Sequence, residues 1–126
     1  MTPRFVEHDP PRRYAKACVY GNFIFLAGED SKDPRTQEVR GSTVGEQTEY
    51  LFQNMKATLE NLGSSLANVI KLTVYLKDPR ERVSFQEVRA KYIPQSPPST
   101  LVMSVDLAEP DMLVEVEALA VIPEKK

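Results

Sequence analysis

The chain has one cysteine, one histidine and no tryptophan among its 126 residues. A lone cysteine excludes a disulfide framework, and one Cys with one His argues against a zinc site held within one chain. Basic clusters are also lacking. Lys and Arg never run beyond the pairs Arg12-Arg13 and Lys125-Lys126, and the net charge is −2, so the electrostatic footprint of a nucleic-acid binder is missing. No apolar run approaches the roughly 18 residues of a membrane-spanning helix. Met1-Thr2-Pro3-Arg4 leads into charge and proline rather than into a secretory signal. No internal repeat is evident. The expectation is a soluble, cytoplasmic protein that engages neither membrane nor nucleic acid.

What remains, 41% hydrophobic residues over this length, suits one domain spanning 1–126 with a real core. Residues 1–13 carry Pro3, Pro10 and Pro11 and read as an extended, loosely held arm. Ala17–Tyr20 and Phe23–Ala27 are apolar runs joined at Gly21-Asn22, the signature of a tight hairpin, with Gly28 ending the second strand. Glu29 to Ser42 is polar and reads as a surface loop. Thr43-Val44-Gly45-Glu46 has the form of a capping box. Val44, Leu51, Met55, Leu59 and Leu62 follow at helical spacing until Gly63 stops the helix.

Val69–Leu76 reads as a strand with Ile70, Leu72, Val74 and Leu76 on one face and Lys71, Thr73 and Tyr75 on the other. Asp78-Pro79 opens a second helix whose apolar residues are Val83, Phe85, Val88, Tyr92 and Ile93, and Pro94 closes it. Thr100–Val105 and Leu113–Val121 complete the chain as strands. In the last, Val114, Val116, Ala118 and Ala120 share a face suited to a helical cover. Glu115 and Glu117 fall on the other face, about 7 Å apart and bracketed by Leu113 and Leu119. Carboxylates in such company must be solvated, paired, placed at an interface or used for chemistry.

The order β-β-α-β-α-β-β predicts an α+β sandwich of two layers, a mixed sheet with two helices on one face. The uncovered face, half apolar and half charged, predicts a homo-oligomer. Cys18 reads as a small buried residue, since no His adjoins it in sequence to activate it, and His8 as exposed on the arm.

Several motifs resemble one family in the right order: Tyr14, Gly21-Asn22-Phe23-Ile24-Phe25-Leu26-Ala27-Gly28, Asp33-Pro34-Arg35-Thr36, the stretch from Asn61-Leu62-Gly63 to Val74-Tyr75-Leu76, and Leu113-Val114-Glu115-Val116-Glu117-Ala118. They resemble the Rid/YjgF family of reactive-intermediate (enamine/imine) deaminases, over about Tyr14 to Val121. The resemblance implies a chorismate-mutase-like subunit and a homotrimer whose sheets line a central barrel, with small-molecule clefts between subunits. It also implies hydrolysis of 2-aminoacrylate-type enamines and imines to 2-keto acids and ammonia, without metal or organic cofactor. By resemblance Tyr14 lines the cleft, Glu115 contacts the attacking water and Gly28 presents backbone to the ligand. Gln86 stands where the family has an asparagine.

One departure matters. Deaminase-type members carry Pro-Ala-Arg-Ser after the second helix, and that arginine clamps the substrate carboxylate. Here the segment is Pro98-Ser99-Thr100-Leu101, so Thr100 replaces the arginine, and Val102 replaces a cysteine that follows it. A guanidinium gives a carboxylate two charge-assisted bonds of about 1.5–3 kcal/mol each, where a threonine gives one neutral bond. The difference of roughly 3 kcal/mol is about a hundredfold in affinity or rate. Arg12, Arg13 and Lys16, flanking Tyr14, are the nearest cations in sequence that could compensate. Two readings stay open: an enamine/imine hydrolase with Glu115 as its catalytic group and altered specificity, or a non-catalytic member that binds a small metabolite or assists an enzyme through the same cleft.

Overall fold

The computed structural model describes residues 1–124, so Lys125 and Lys126 lie outside the described residues. The strands are β1 (Arg4–Val6), β2 (Ala17–Tyr20), β3 (Phe23–Leu26), β4 (Val69–Leu76), β5 (Ser99–Met103) and β6 (Val114–Val121), with helices α1 (Val44–Asn61) and α2 (Arg82–Tyr92). They form one six-stranded sheet in the order β1-β2-β3-β6-β4-β5. All neighbours are antiparallel except β4 and β5, so the sheet is mixed as expected. The helices cover one face. Val114, Val116, Ala118 and Ala120 of β6 point into a single core with Leu51, Phe52, Met55 and Leu59 of α1 and Phe85 and Val88 of α2. The two-layer α+β sandwich predicted from the element order is the observed fold.

Local chemistry explains the helix ends. The Thr43 hydroxyl accepts from the Glu46 amide at 3.1 Å, and the Glu46 carboxylate accepts from the Thr43 amide at 3.2 Å, which closes the capping box. Leu62 is the C-cap, and Gly63 beyond it adopts φ +81°, a left-handed conformation that glycine tolerates without strain. Gln47, almost fully buried, ties α1 to the segment before β6. Its amide donates to the Gly41 and Asp111 carbonyls, and its oxygen accepts from the Leu113 amide at 2.8 Å.

Five expectations need correction. The N-terminal arm is not loose throughout, because Arg4–Val6 adds a sixth strand by pairing with Ala17–Val19. A register shift between Val69 and Lys71 turns Val69 into the core and leaves Ile70 exposed, which breaks the simple alternation on β4. Asp78-Pro79 opens a 3-10 turn (Pro79–Glu81) that precedes α2, and Val83 on the first turn of α2 faces solvent. Cys18 lies in register between Phe5 and Phe25 on the uncovered sheet face, half-buried rather than in the core. The polar stretch from Glu29 is packed more closely than a free loop: Glu29 bridges to Val116, Lys32 bridges to Val39, and Ser31 is buried.

Candidate functional site

On the uncovered face of the sheet, strand register sets the side chains in rows. Thr100, Thr73 and Glu117 form one row across β5, β4 and β6, and Val102, Tyr75 and Glu115 form the next. The Tyr75 hydroxyl donates to Glu117 Oε1 at 2.9 Å, tying the two rows together. That bond, with the charge of Glu117, holds the phenol of Tyr75 above its ordinary pKa. A third row, Phe5, Cys18, Phe25, Leu119 and Lys71, crosses five strands, and its phenylalanines are largely exposed. A shallow depression of about 280 Å³ lies between Phe25, Lys71, Thr73, Glu117 and Leu119.

Glu115 sits at the end of this face against Gly28. A Cβ built at Gly28 would fall 2.6 Å from Glu115 Oε1 and 2.8 Å from its Cδ, so only glycine leaves the carboxylate its place. Burial raises the Glu115 pKa most, the negative charge of Asp30 adds to the rise, Lys32 opposes it, and Glu117 contributes last. A half-buried carboxyl group that holds its proton above the usual range can exchange a proton with a reacting water or nitrogen.

Gly28→Ala therefore tests the pairing. The methyl would push aside the far end of a flexible side chain rather than backbone, so the fold should persist. The displaced carboxylate should lower turnover or ligand affinity on the order of 10²-fold. Kinetics and melting measured side by side check this: a Tm that collapses together with function would mean that Gly28 serves the backbone only.

Of the residues singled out in the sequence, Gly28 and Glu115 are brought together. Thr100 is two strands from Glu117 in its own row, about 10 Å away at ordinary strand spacing, and exposed on the edge strand β5. Gln86 is exposed on α2, accepts from Arg89 Nε at 3.3 Å, and borders a hollow with Ser99 and Leu101 on the helix side of β5. Tyr14 is exposed on the arm. Its ring stands edge-on to His8 at 5.2 Å, and its hydroxyl accepts from Arg12 Nη1 at 3.3 Å. One protomer therefore holds Gly28 and Glu115 at one place and Thr100 and Gln86 at its β5 edge.

Tyr75, Asp30 and Lys32 were missed by sequence reasoning as partners of the two glutamates. The alternation along β4 did put Tyr75 on the same face as Lys71 and Thr73. Its bond to Glu117 spans 42 residues of sequence and follows only from strand register.

No helix among the described residues is long and apolar enough to cross a membrane. The family model described as Endoribonuclease L-PSP matches residues 6–122. A RutC family protein of Pyrococcus abyssi is 41% identical over 107 residues, covering 85% of this chain and 84% of that protein. A solved structure from Thermotoga maritima is 35% identical with a TM-score of 0.86, covering 96% of this chain and 98% of that one. RidA from an Antarctic Psychrobacter is 30% identical with a TM-score of 0.80, covering 88% of this chain and 89% of that one. With the fold, the motif order and a match over nearly its whole length in agreement, the chain belongs to the Rid/YjgF family, the one that the L-PSP model describes.

Proposed function

We propose that this protein hydrolyses a small enamine or imine, releasing ammonia, in a cleft that a second copy of the chain completes. The observation that carries the reading is the half-buried Glu115 carboxyl, its pKa raised, held against Gly28 on a sheet face with no cover in the protomer. The chemistry balances without a co-reactant. Water adds to the carbon of the protonated C=N group while Glu115 takes a proton from it, giving a neutral carbinolamine. Glu115 then passes that proton to nitrogen and takes up the hydroxyl proton as the C–N bond breaks, so a carbonyl compound and ammonia leave and Glu115 releases the last proton to water. An enamine enters the same sequence once protonated at carbon.

The exposed Phe5, Phe25 and Ile70 support a homo-oligomer. A homotrimer of the family's kind would bring the β5 edge of one copy, with Thr100 and Gln86, toward Glu115 and Tyr14 of its neighbour. We read the protein as a cytoplasmic one needing no cofactor. An RNA substrate is disfavoured by Glu115 and Glu117, whose charges on this face would repel a phosphodiester chain.

One observation favours the second reading, a non-catalytic member that binds a metabolite or assists an enzyme. Thr100 offers no positive charge, and Arg12 and Lys16 line a cavity on the helix side of the sheet instead of reaching toward it. The test is to generate 2-aminoacrylate and larger imines in situ and follow ammonia and carbonyl product. Faster release than in protein-free solution, greatest for imines without a carboxylate, is the expected result. Saturable ligand binding with no acceleration for any imine would establish the second reading. A sedimentation profile showing only monomer at micromolar concentration would remove the shared cleft altogether.

A further inference from the structure

A cavity of about 90 Å³ lies where the arm, the segment after β3 and α1 meet. It is not part of the site described above. The Glu29 amide donates to the Val116 carbonyl at 2.7 Å and its carbonyl accepts from the Val116 amide at 3.0 Å. Residues paired in this way project to the same side of a sheet. Val116 is wholly buried under the helices, so the Glu29 side chain also points to the helix side, opposite to Glu115. The backbone at Gly28 is the wall between the two.

Two polar atoms at the cavity have nothing to bind. His8 Nε2 and Arg12 Nε are both buried and lack a hydrogen-bond partner among the described residues. Lys16 also lines the space. The Glu29 carboxyl takes part in no ion pair or hydrogen bond among the described residues. Buried donors left without partners cost free energy, about 1–3 kcal/mol each, and such groups in a native fold call for an occupant. Arg12 Nε can only donate, and His8 Nε2 donates in the tautomer that carries its proton there, so a cation would leave the guanidinium unpaired and add repulsion from Arg12 and Lys16. An anion satisfies them. The volume equals about three waters' share of the liquid, which suits an ion the size of formate or acetate.

We propose that this helix-side cavity binds a small carboxylate anion, held by Arg12, Lys16 and the His8 imidazole and hydrogen-bonded by the Glu29 carboxyl. The inference does not rest on the proposed hydrolysis. It requires that Glu29 carry its proton when the anion is bound, since two carboxylates in contact would repel. Burial, with Asp30 next, pushes the Glu29 pKa up to about 7, and Lys16 and Arg12 only partly offset the rise. The other charged or titratable groups facing Glu29 are His8, Asp9 and Lys32 at the cavity wall and Glu115 across the sheet, while Asn54, Ala57 and Thr58 of α1 bring no charge. His8 is held below its ordinary pKa by burial and then by Arg12 and Lys16, so it enters as a neutral donor near neutral pH.

The experiment is a titration of the full chain with sodium acetate at constant ionic strength, followed by amide chemical shifts. Saturable shifts at the arm and at residues 28–34 are expected, with affinity falling about tenfold between pH 6 and pH 8 as Glu29 ionises. Arg12→Gln and Lys16→Gln should each weaken binding about tenfold or more, in line with a lost charge-assisted bond. Glu29→Gln should keep binding and abolish its pH dependence. Shifts that do not saturate, indifference to Arg12→Gln, or loss of the response in Glu115→Gln alone would each overturn the assignment, the last by placing the anion on the opposite face.

Discussion

Glu115→Gln is expected to slow ammonia release about 10²–10⁴-fold on whichever imine the wild type turns over, the usual worth of a positioned general acid–base group. The amide matches the carboxylate in shape, so it fits the space beside Gly28 and leaves the row with Tyr75 and Val102 intact. It cannot take a proton from water and hand it on. Stability should move the other way. The folded-state pKa of Glu115 lies above its ordinary value, so the folded chain binds that proton more tightly than the unfolded chain does. Stability is then lost as pH rises from the ordinary carboxyl range through the raised value. Glutamine carries no such penalty. Thermal melts of the variant at neutral pH should match or exceed the wild type, and the difference should vanish in acid below the ordinary carboxyl pKa. Turnover that survives the substitution would show that the acid–base group lies elsewhere.

Thr100→Arg is expected to raise kcat/KM for 2-aminoacrylate about a hundredfold, from the roughly 3 kcal/mol that separates a bidentate charge-assisted contact from one neutral hydroxyl bond. The position favours the experiment. Thr100 is exposed on an edge strand, in register with Thr73 and away from the core, so a longer side chain displaces nothing buried. Imines without a carboxylate should gain nothing, because the added charge has no partner on them. Initial rates on both substrates, wild type against variant, make the comparison. An equal gain on both would trace to a general change in the cleft, and no gain on either would mean that position 100 does not face the bound substrate.

The helix starting at Thr43 and the covered face of β6 were legible because their signals are local: a hydroxyl three residues before a carboxylate, and small apolar side chains at every second position. Strand β1 was not legible. Three residues between prolines carry too little pattern, and the strand exists because Phe5 and its neighbours find Ala17–Val19 across a turn. Ile70 was misplaced for a related reason, since a bulge against Ala120 and Leu119 resets the alternation and leaves no mark in composition.

The candidate site divides in the same way. Glu115 and Gly28 could be singled out from their own segments, but their contact joins two strands that are neighbours only in space. The bond from Tyr75 to Glu117 and the influence of Asp30 on Glu115 likewise needed the register. His8 looked like a surface residue because its segment is polar. The fold of the arm back over the segment after β3 leaves it half-buried, with its Nε2 shielded from solvent.

The two rims of the sheet bear on how the particle grows. At one rim stands a strand of only three residues carrying Arg4, and at the other a five-residue strand entered through Pro97-Pro98. Neither offers the long, flat, unpaired ladder that recruits further chains edge to edge. The association proposed above through the phenylalanine-bearing face would therefore close on itself, so this architecture favours a finite particle over a filament, even where the protein is crowded.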